Sequence, residues 1–110
     1  MTDLRLYLLQ RASAALMLPL IVIHLIVIYY ATSKGLTAAD VLSRTRGSLA
    51  WGAFYTLFVV LAAVHAAIGV RVILREWTSL AASARDGIAI TFALALLLLG
   101  LRAVAAVVLP

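Results

Sequence analysis

Residues 62–77 read A-A-V-H-A-A-I-G-V-R-V-I-L-R-E-W and end a long apolar run in a chain of 110 residues. At helical spacing, Ala62, Ala66 and Gly69 lie beside His65 on one face of a helix. Because all three neighbours are small, they leave a shallow groove next to the imidazole. A planar ligand would fit in that groove.

The polar end of this stretch has the residues of a membrane boundary. Arg71, Arg75 and Trp77 follow directly on the apolar run, and basic and aromatic side chains collect where a membrane helix meets the head groups. Glu76 lies eleven residues after His65, which is close to three helical turns, so both residues share a face.

Polar side chains at membrane depth are costly and usually mark a functional site. This favours His65 as a ligand to a cofactor. The spacing of Ala62 and Ala66 is also that of ordinary close helix packing, in which a neutral histidine forms a hydrogen bond between helices. The residues alone leave both interpretations open.

The composition predicts a membrane protein, since 66% of the residues are hydrophobic and only 12% are charged. A helix needs about 20 residues to cross a hydrocarbon layer of about 30 Å, and each of three apolar runs is close to this length. We therefore predict an all-α membrane protein with three transmembrane helices, at about residues 10–30, 49–74 and 88–109. Short connections predict an up-down-up bundle that forms a single membrane-anchor domain over residues 1–110.

The basic residues predict the orientation of this bundle. Five lie on the side of the N-terminus and three in the other loop: Arg5, Arg11, Arg71, Arg75 and Arg85 against Lys34, Arg44 and Arg46. Loops on the inner side of a membrane carry more basic residues. We expect a multi-pass protein of the bacterial cytoplasmic (inner) membrane, rather than the mitochondrial inner membrane, with a cytoplasmic N-terminus.

Two local signals refine the helices. Pro19 lies inside the first run, where a membrane helix tolerates it with a local kink. Thr37 and Asp40 have the spacing of a capping box, which predicts a short helix lying at the membrane surface.

The same composition excludes several functions. The formal net charge is +5, but the nine basic residues form no run, so we expect no nucleic-acid partner. Membrane lipid head groups and cofactor carboxylates are the expected counter-charges. There is no cysteine, so the chain cannot ligate an iron–sulfur cluster, and any metal must arrive in a cofactor held by histidine.

His24 is the other histidine of the predicted spans. It lies roughly 9 Å from the far end of its helix, whereas His65 lies roughly 24 Å from the same interface at 1.5 Å per residue. Because two ligands to one iron need similar depth, we do not expect these two histidines to share one. His24 is then structural, a ligand to a second haem shared with a partner, or a contact to another lipid-soluble ligand.

Arg11 and the pair Glu76–Trp77, which lie toward the side of the N-terminus, can each be interpreted as purely structural or as functional. Arg11 is either a snorkelling side chain or a partner for a haem propionate, since a guanidinium suits a carboxylate. Glu76 and Trp77 are either an interfacial anchor or a pair that supplies protons and an indole N–H to a quinone.

Several motifs resemble those of one family, the small haem-b membrane anchor of succinate dehydrogenase (succinate:quinone oxidoreductase), in particular the D-type member of its anchor pair. Gln10-Arg-Ala-Ser-Ala14 is similar to the R-x-[ST]-A opening of the family's first helix, and the segment around Leu36-Thr37 resembles the start of its first loop. His65-Ala-Ala-Ile-Gly69 followed by Glu76-Trp77 is similar to an H-x-x-x-G helix that ends in an acidic–aromatic pair.

The resemblance implies specific roles for these residues. His65 would be an axial ligand to the iron of haem b, with the other ligand from the companion anchor of the pair, the C-type one, and Arg11 would approach the propionates. Glu76 and Trp77 stand where the family has an aspartate and a quinone-binding tyrosine. Trp77 can donate a hydrogen bond but has no phenolic hydroxyl.

The implied function is electron transfer in complex II of the tricarboxylic acid cycle. The chain would be half of a two-subunit anchor that passes electrons from the iron–sulfur subunit to quinone, with the flavoprotein subunit oxidising succinate. The anchor of a fumarate reductase is an alternative within the same resemblance. A haem-free small transporter or assembly subunit is an alternative outside it, although the predicted spans lack the acidic residue at mid-membrane that a proton-coupled carrier needs.

Overall fold

The computed structural model describes residues 3–110, and all of its regular structure is helical. The four helices are α1 (Asp3–Ser33), α2 (Ala38–Thr45), α3 (Leu49–Trp77) and α4 (Ala82–Val108), and no strand is found within residues 3–110. The helices α1, α3 and α4 are long and apolar enough to cross a membrane. The predicted all-α fold with three membrane helices is confirmed.

Two of the helices begin earlier than the predicted membrane crossings. The amphipathic start of the chain is continuous with the first span, so α1 begins at Asp3 and runs through Pro19 without interruption. The third crossing was predicted from about residue 88, but its helix α4 already begins at Ala82. Asp86 lies within this first part of α4, where it is paired with Arg71 of α3.

The helix α3 lies between α1 and α4 and packs against both. At one end of the bundle, ion pairs join the start of α1, the end of α3 and the start of α4. Arg71 contacts Asp86 at 2.6 Å and Asp3 at 3.9 Å, and Arg75 contacts Asp3 at 3.4 Å. This meeting of helix ends confirms the up-down-up arrangement.

The other end of the bundle is closed by α2. The hydroxyl of Thr45 donates to the carbonyl of Val107 at 2.6 Å, and the N–H of Gly47 donates to the carbonyl of Val108 at 2.7 Å. The last carbonyls of a helix have no partner within it, so these two bonds satisfy the end of α4. Gly47 has a φ of 70°, a conformation that glycine adopts without steric cost.

The capping box at the start of α2 is confirmed. The N–H of Thr37 donates to the Asp40 carboxylate at 2.8 Å, and the N–H of Asp40 donates to the Thr37 hydroxyl at 3.2 Å. The pKa of the Asp40 carboxyl is held below its ordinary value. The hydrogen bond with the Thr37 backbone is the largest cause, and the one with the Thr37 side chain is the next largest.

Small side chains make up most of the buried apolar core. The buried apolar residues are Ala63, Ala67, Ile68 and Ala89, and small residues let membrane helices approach closely. Large apolar side chains cover the outside of the bundle, as they do for example at Leu16, Leu25 and Leu98. An apolar outer surface of this extent fits lipid or a second membrane subunit.

Candidate functional site

His65 lies on α3 against the first half of α1. Its Nδ1 atom is 3.2 Å from the hydroxyl oxygen of Ser13, and the same hydroxyl donates to the backbone carbonyl of Gln10 at 2.9 Å. Ser13 is only 1% exposed, so this contact is shielded from solvent. The structure therefore gives His65 an interhelical hydrogen bond through one ring nitrogen and leaves Nε2 without a hydrogen-bond partner among residues 3–110.

The open groove beside His65 remains a prediction, and one of its small residues, Gly69, faces α1. Gly69 lies one turn from His65, and a Cβ atom at this position would be 3.6 Å from Nε2 of the Gln10 side chain. Ala62 and Ala66 are half-buried. The Oε1 atom of Gln10 is buried without a hydrogen-bond partner in the described chain, so this part of the site has an unsatisfied acceptor.

A cleft of about 700 Å³ begins at Gln10 and Gly69 and runs between α1 and α3 toward the ion pairs. Its volume lies within the range of about 300–1,000 Å³ that is usual for ligand pockets. Arg71 and Arg75 line its polar end. Asp3 lines the same end and is paired with both arginines, so the cleft combines an apolar body with a polar end whose charges are already partnered.

The donor set in this region fits a cofactor that brings its own metal. Residues 3–110 contain no group of three or more histidine, aspartate or glutamate side chains that could hold a bare metal ion. One imidazole can supply one axial nitrogen to a haem iron. His65 could therefore supply one ligand to such a cofactor, and haem binding remains a prediction.

Arg11 is not close to His65 in the structure. An α-helix turns by about 100° per residue, so Arg11 lies on nearly the opposite side of α1 from Ser13. Its guanidinium lies over the ring of Tyr7, 5.6 Å from the ring centroid, and its side chain is exposed. Contact between Arg11 and a haem propionate remains a prediction.

Glu76 and Trp77 are the last two residues of α3, and both are exposed. Trp77 is 82% exposed. They lie at the same end of the bundle as the ion pairs, about 17–18 Å from His65 along the helix at 1.5 Å per residue. The structure places this pair at a boundary position, and its contact with a quinone remains a prediction.

The cluster of Asp3, Arg71, Arg75 and Asp86 was not predicted. Arg71 has 18% of its side chain exposed, and its carboxylate partner Asp86 has 49%. Both acids lie on the same predicted side of the membrane as the arginines. This shared side was the one feature of the sequence that could have indicated the ion pairs. Arg71 and Asp86 also line a second cavity of about 270 Å³ between α3 and α4.

His24 occupies a different site at the other end of the bundle. Its ring packs edge-on against Tyr55 and Phe58, with centroid distances of 5.7 and 5.5 Å. It lines a cavity of about 320 Å³ that extends to Gly100 of α4. Its Nδ1 atom is buried with no hydrogen-bond partner in residues 3–110. His24 and Ser13 are eleven residues apart on α1, so His24 and His65 lie at different depths.

These features define a small integral membrane protein with three long apolar helices and a histidine bonded between two of them. The chain matches, over residues 2–102, the family described as the succinate dehydrogenase/fumarate reductase transmembrane subunit. It belongs to that family, which confirms the family resemblance of its motifs. Comparison with curated proteins and with solved structures finds no match.

Proposed function

We propose that the chain is the D-type membrane anchor of succinate dehydrogenase, that it binds haem b through His65, and that it forms part of the quinone site. Family membership supports the role as a membrane subunit. The observation that carries the haem assignment is the geometry of His65, whose Nδ1 is occupied by Ser13 while Nε2 has no partner in the described chain. That arrangement is typical of a histidine that ligates a metal.

Haem b would supply one-electron redox chemistry between the iron–sulfur subunit and quinone. His65 would hold its iron from one side, and the companion C-type anchor would supply the second axial ligand. Arg11, which lies on the exposed surface of α1, would pair with a propionate of the haem. Arg71 and Arg75 line the cleft between α1 and α3 at the same end of the bundle, where they are paired with Asp3 and Asp86.

The quinone site would lie near Glu76 and Trp77, at the boundary where α3 ends. Quinone reduction takes up protons, and a carboxylate at the aqueous boundary can deliver them. Because Trp77 is exposed, its indole N–H is available to a quinone carbonyl. The cleft between α1 and α3 opens at this end and can accept apolar parts of a ligand.

Purification of the complex from its native membrane tests the assignment of partners. A tag on this chain is expected to retain a flavoprotein subunit, an iron–sulfur subunit and a second membrane subunit, with succinate:quinone reductase activity. Recovery of the chain without soluble partners would contradict the proposal. Faster fumarate reduction than succinate oxidation with the native quinone would assign the complex to the fumarate reductase side of the family.

Trp77 gives a test of the quinone site. Trp77→Phe keeps most of the apolar surface and removes only the indole donor, so quinone binding is expected to weaken by about 0.5–1.5 kcal/mol, the net value of one hydrogen bond. Trp77→Leu is expected to cost more, since ring packing is also lost. Steady-state quinone reductase kinetics measure both effects on complexes with equal haem and equal amounts of every partner. Wild-type quinone affinity and turnover in both variants would mean that Trp77 is only an interfacial anchor.

The orientation in the membrane has a separate test. An odd number of crossings places the two ends of the chain on opposite sides, and the excess of basic residues favours a cytoplasmic N-terminus. A reporter fused after Pro110 is therefore expected to show periplasmic activity. Cytoplasmic activity of this fusion would contradict the orientation.

A further inference from the structure

We infer that Ser13 is a positioning residue for His65: its hydroxyl accepts the Nδ1–H of the imidazole and thereby keeps the lone pair on Nε2. This inference rests on the proposed haem function for its consequences, but the hydrogen bond itself can be tested without haem. The contact links α1 to α3 between residues 52 positions apart.

The direction of the hydrogen bonds follows from counting hydrogens. A serine hydroxyl has one hydrogen, whereas a backbone carbonyl has none. The Ser13 oxygen and the Gln10 carbonyl oxygen are 2.9 Å apart, a distance at which two oxygens need a hydrogen between them. The hydroxyl hydrogen therefore points to Gln10. The longer contact of 3.2 Å to His65 must then use a hydrogen carried by Nδ1.

The environment of the pair selects a single neutral tautomer. A neutral imidazole carries one N–H only, on either Nδ1 or Nε2. Ser13 is 1% exposed, so water is kept from competing for the hydroxyl. With the hydrogen on Nδ1, both polar atoms of the contact are satisfied and Nε2 keeps its lone pair.

The arrangement has a direct effect on a ligand to iron. A ring N–H that donates to an acceptor fixes the orientation of the imidazole and increases its basicity, and loss of such a partner typically lowers metal affinity by about 10- to 100-fold. The series from Nδ1–H through Ser13 to the Gln10 carbonyl is polarised in one direction, which strengthens each bond. Ser13 thus acts through His65 and touches no reacting atom.

The chain offers a matched control for Ser13. Ser33 lies on the same helix, and its hydroxyl also donates to the carbonyl three residues earlier, at 3.1 Å from Tyr30. It is exposed and has no contact with a histidine. Ser33→Ala therefore removes the same kind of backbone contact, while Ser13→Thr keeps a hydroxyl at the site of interest.

The first measurement uses the haem-free full chain in lipid bilayers, labelled with ¹⁵N-histidine. The chain has two histidines, and a His24→Gln variant assigns their signals. His65 is expected to carry its proton on Nδ1 in the wild-type, Ser33→Ala and Ser13→Thr chains, and to become a mixture of tautomers in Ser13→Ala. A proton on Nε2 in the wild-type chain, or an unchanged tautomer in Ser13→Ala, would overturn the inference.

The second measurement uses the assembled complex. Ser13→Ala is expected to lower haem affinity by about 10- to 100-fold and to raise the reduction potential of the retained haem, because a less basic ligand stabilises the oxidised iron less. Ser33→Ala and Ser13→Thr should match the wild type. Equal affinity and potential in Ser13→Ala would overturn the positioning role. If no variant binds haem but the tautomer result holds, the proposed haem function fails while the Ser13 contact stands.

Discussion

The substitution His65→Ala is expected to remove low-spin haem b from the complex while the chain still inserts in the membrane. Under the proposed function the imidazole would supply a ligand to the haem iron, and the nearby hydroxyl of Ser13 would not replace it because it is already engaged at 2.9 Å with Gln10. Without His65, the proposed companion anchor alone would hold the haem, so loss of the low-spin spectrum or of the haem itself is expected. Visible spectra and haem content per complex measure the loss.

Two further variants separate ligation from folding. His65→Gly leaves space for free imidazole, and addition of imidazole is expected to restore a low-spin spectrum. His24→Ala is expected to retain the haem bound by His65, because His24 lies among Tyr55, Phe58 and the far cavity. An unchanged spectrum and haem content in His65→Ala would exclude this residue as a ligand.

Gly100→Ala is expected to produce the largest loss of stability from a single methyl group. A Cβ atom at Gly100 would overlap Cγ1 of Val59 and lie 3.0 Å from its Cγ2 and 3.3 Å from its Cβ. Valine in a helix has one strongly preferred rotamer, so Val59 cannot rotate away at low cost. The helices α3 and α4 must then separate, and overpacking of this kind typically costs about 1–3 kcal/mol.

Other glycines provide graded controls. A Cβ atom at Gly87 of the same helix would meet nothing within 4 Å, and one at Gly52 would lie 3.2 Å from Val108. The free energy of unfolding is measured by reversible unfolding in mixed micelles. Gly87→Ala should leave it unchanged or raise it by up to about 1 kcal/mol. The value for Gly52→Ala should lie between those for Gly87→Ala and Gly100→Ala. The double variant Gly100→Ala with Val59→Ala should recover stability. Equal stability of Gly100→Ala and Gly87→Ala would contradict the close packing.

Local features of the fold were predictable from the sequence. The capping box of Thr37 and Asp40 depends only on spacing within four residues, and the structure contains both of its hydrogen bonds. The three spans follow from long apolar runs. The start of α4 was less predictable, because the polar residues of its first turns are stabilised by the distant Arg71.

The details of the site required information that a single sequence lacks. Periodicity places His65 and Gly69 on one face of α3, but it does not give the rotation of α1 relative to that face. This rotation decides that Ser13 approaches His65 and Gln10 approaches Gly69, while Arg11 faces away. The ion pairs of Asp3 and Asp86 likewise depend on how three helix ends meet.

The central claim is that this chain carries one ligand of a haem b in a succinate:quinone oxidoreductase. A reduced-minus-oxidised visible spectrum of the purified wild-type complex tests it most directly, since a low-spin haem with two histidine ligands absorbs independently of any enzyme assay. We predict b-type bands that are reduced by succinate in the wild-type complex and are lost in His65→Ala. A complete complex with succinate:quinone reductase activity and no b-type band would contradict the claim.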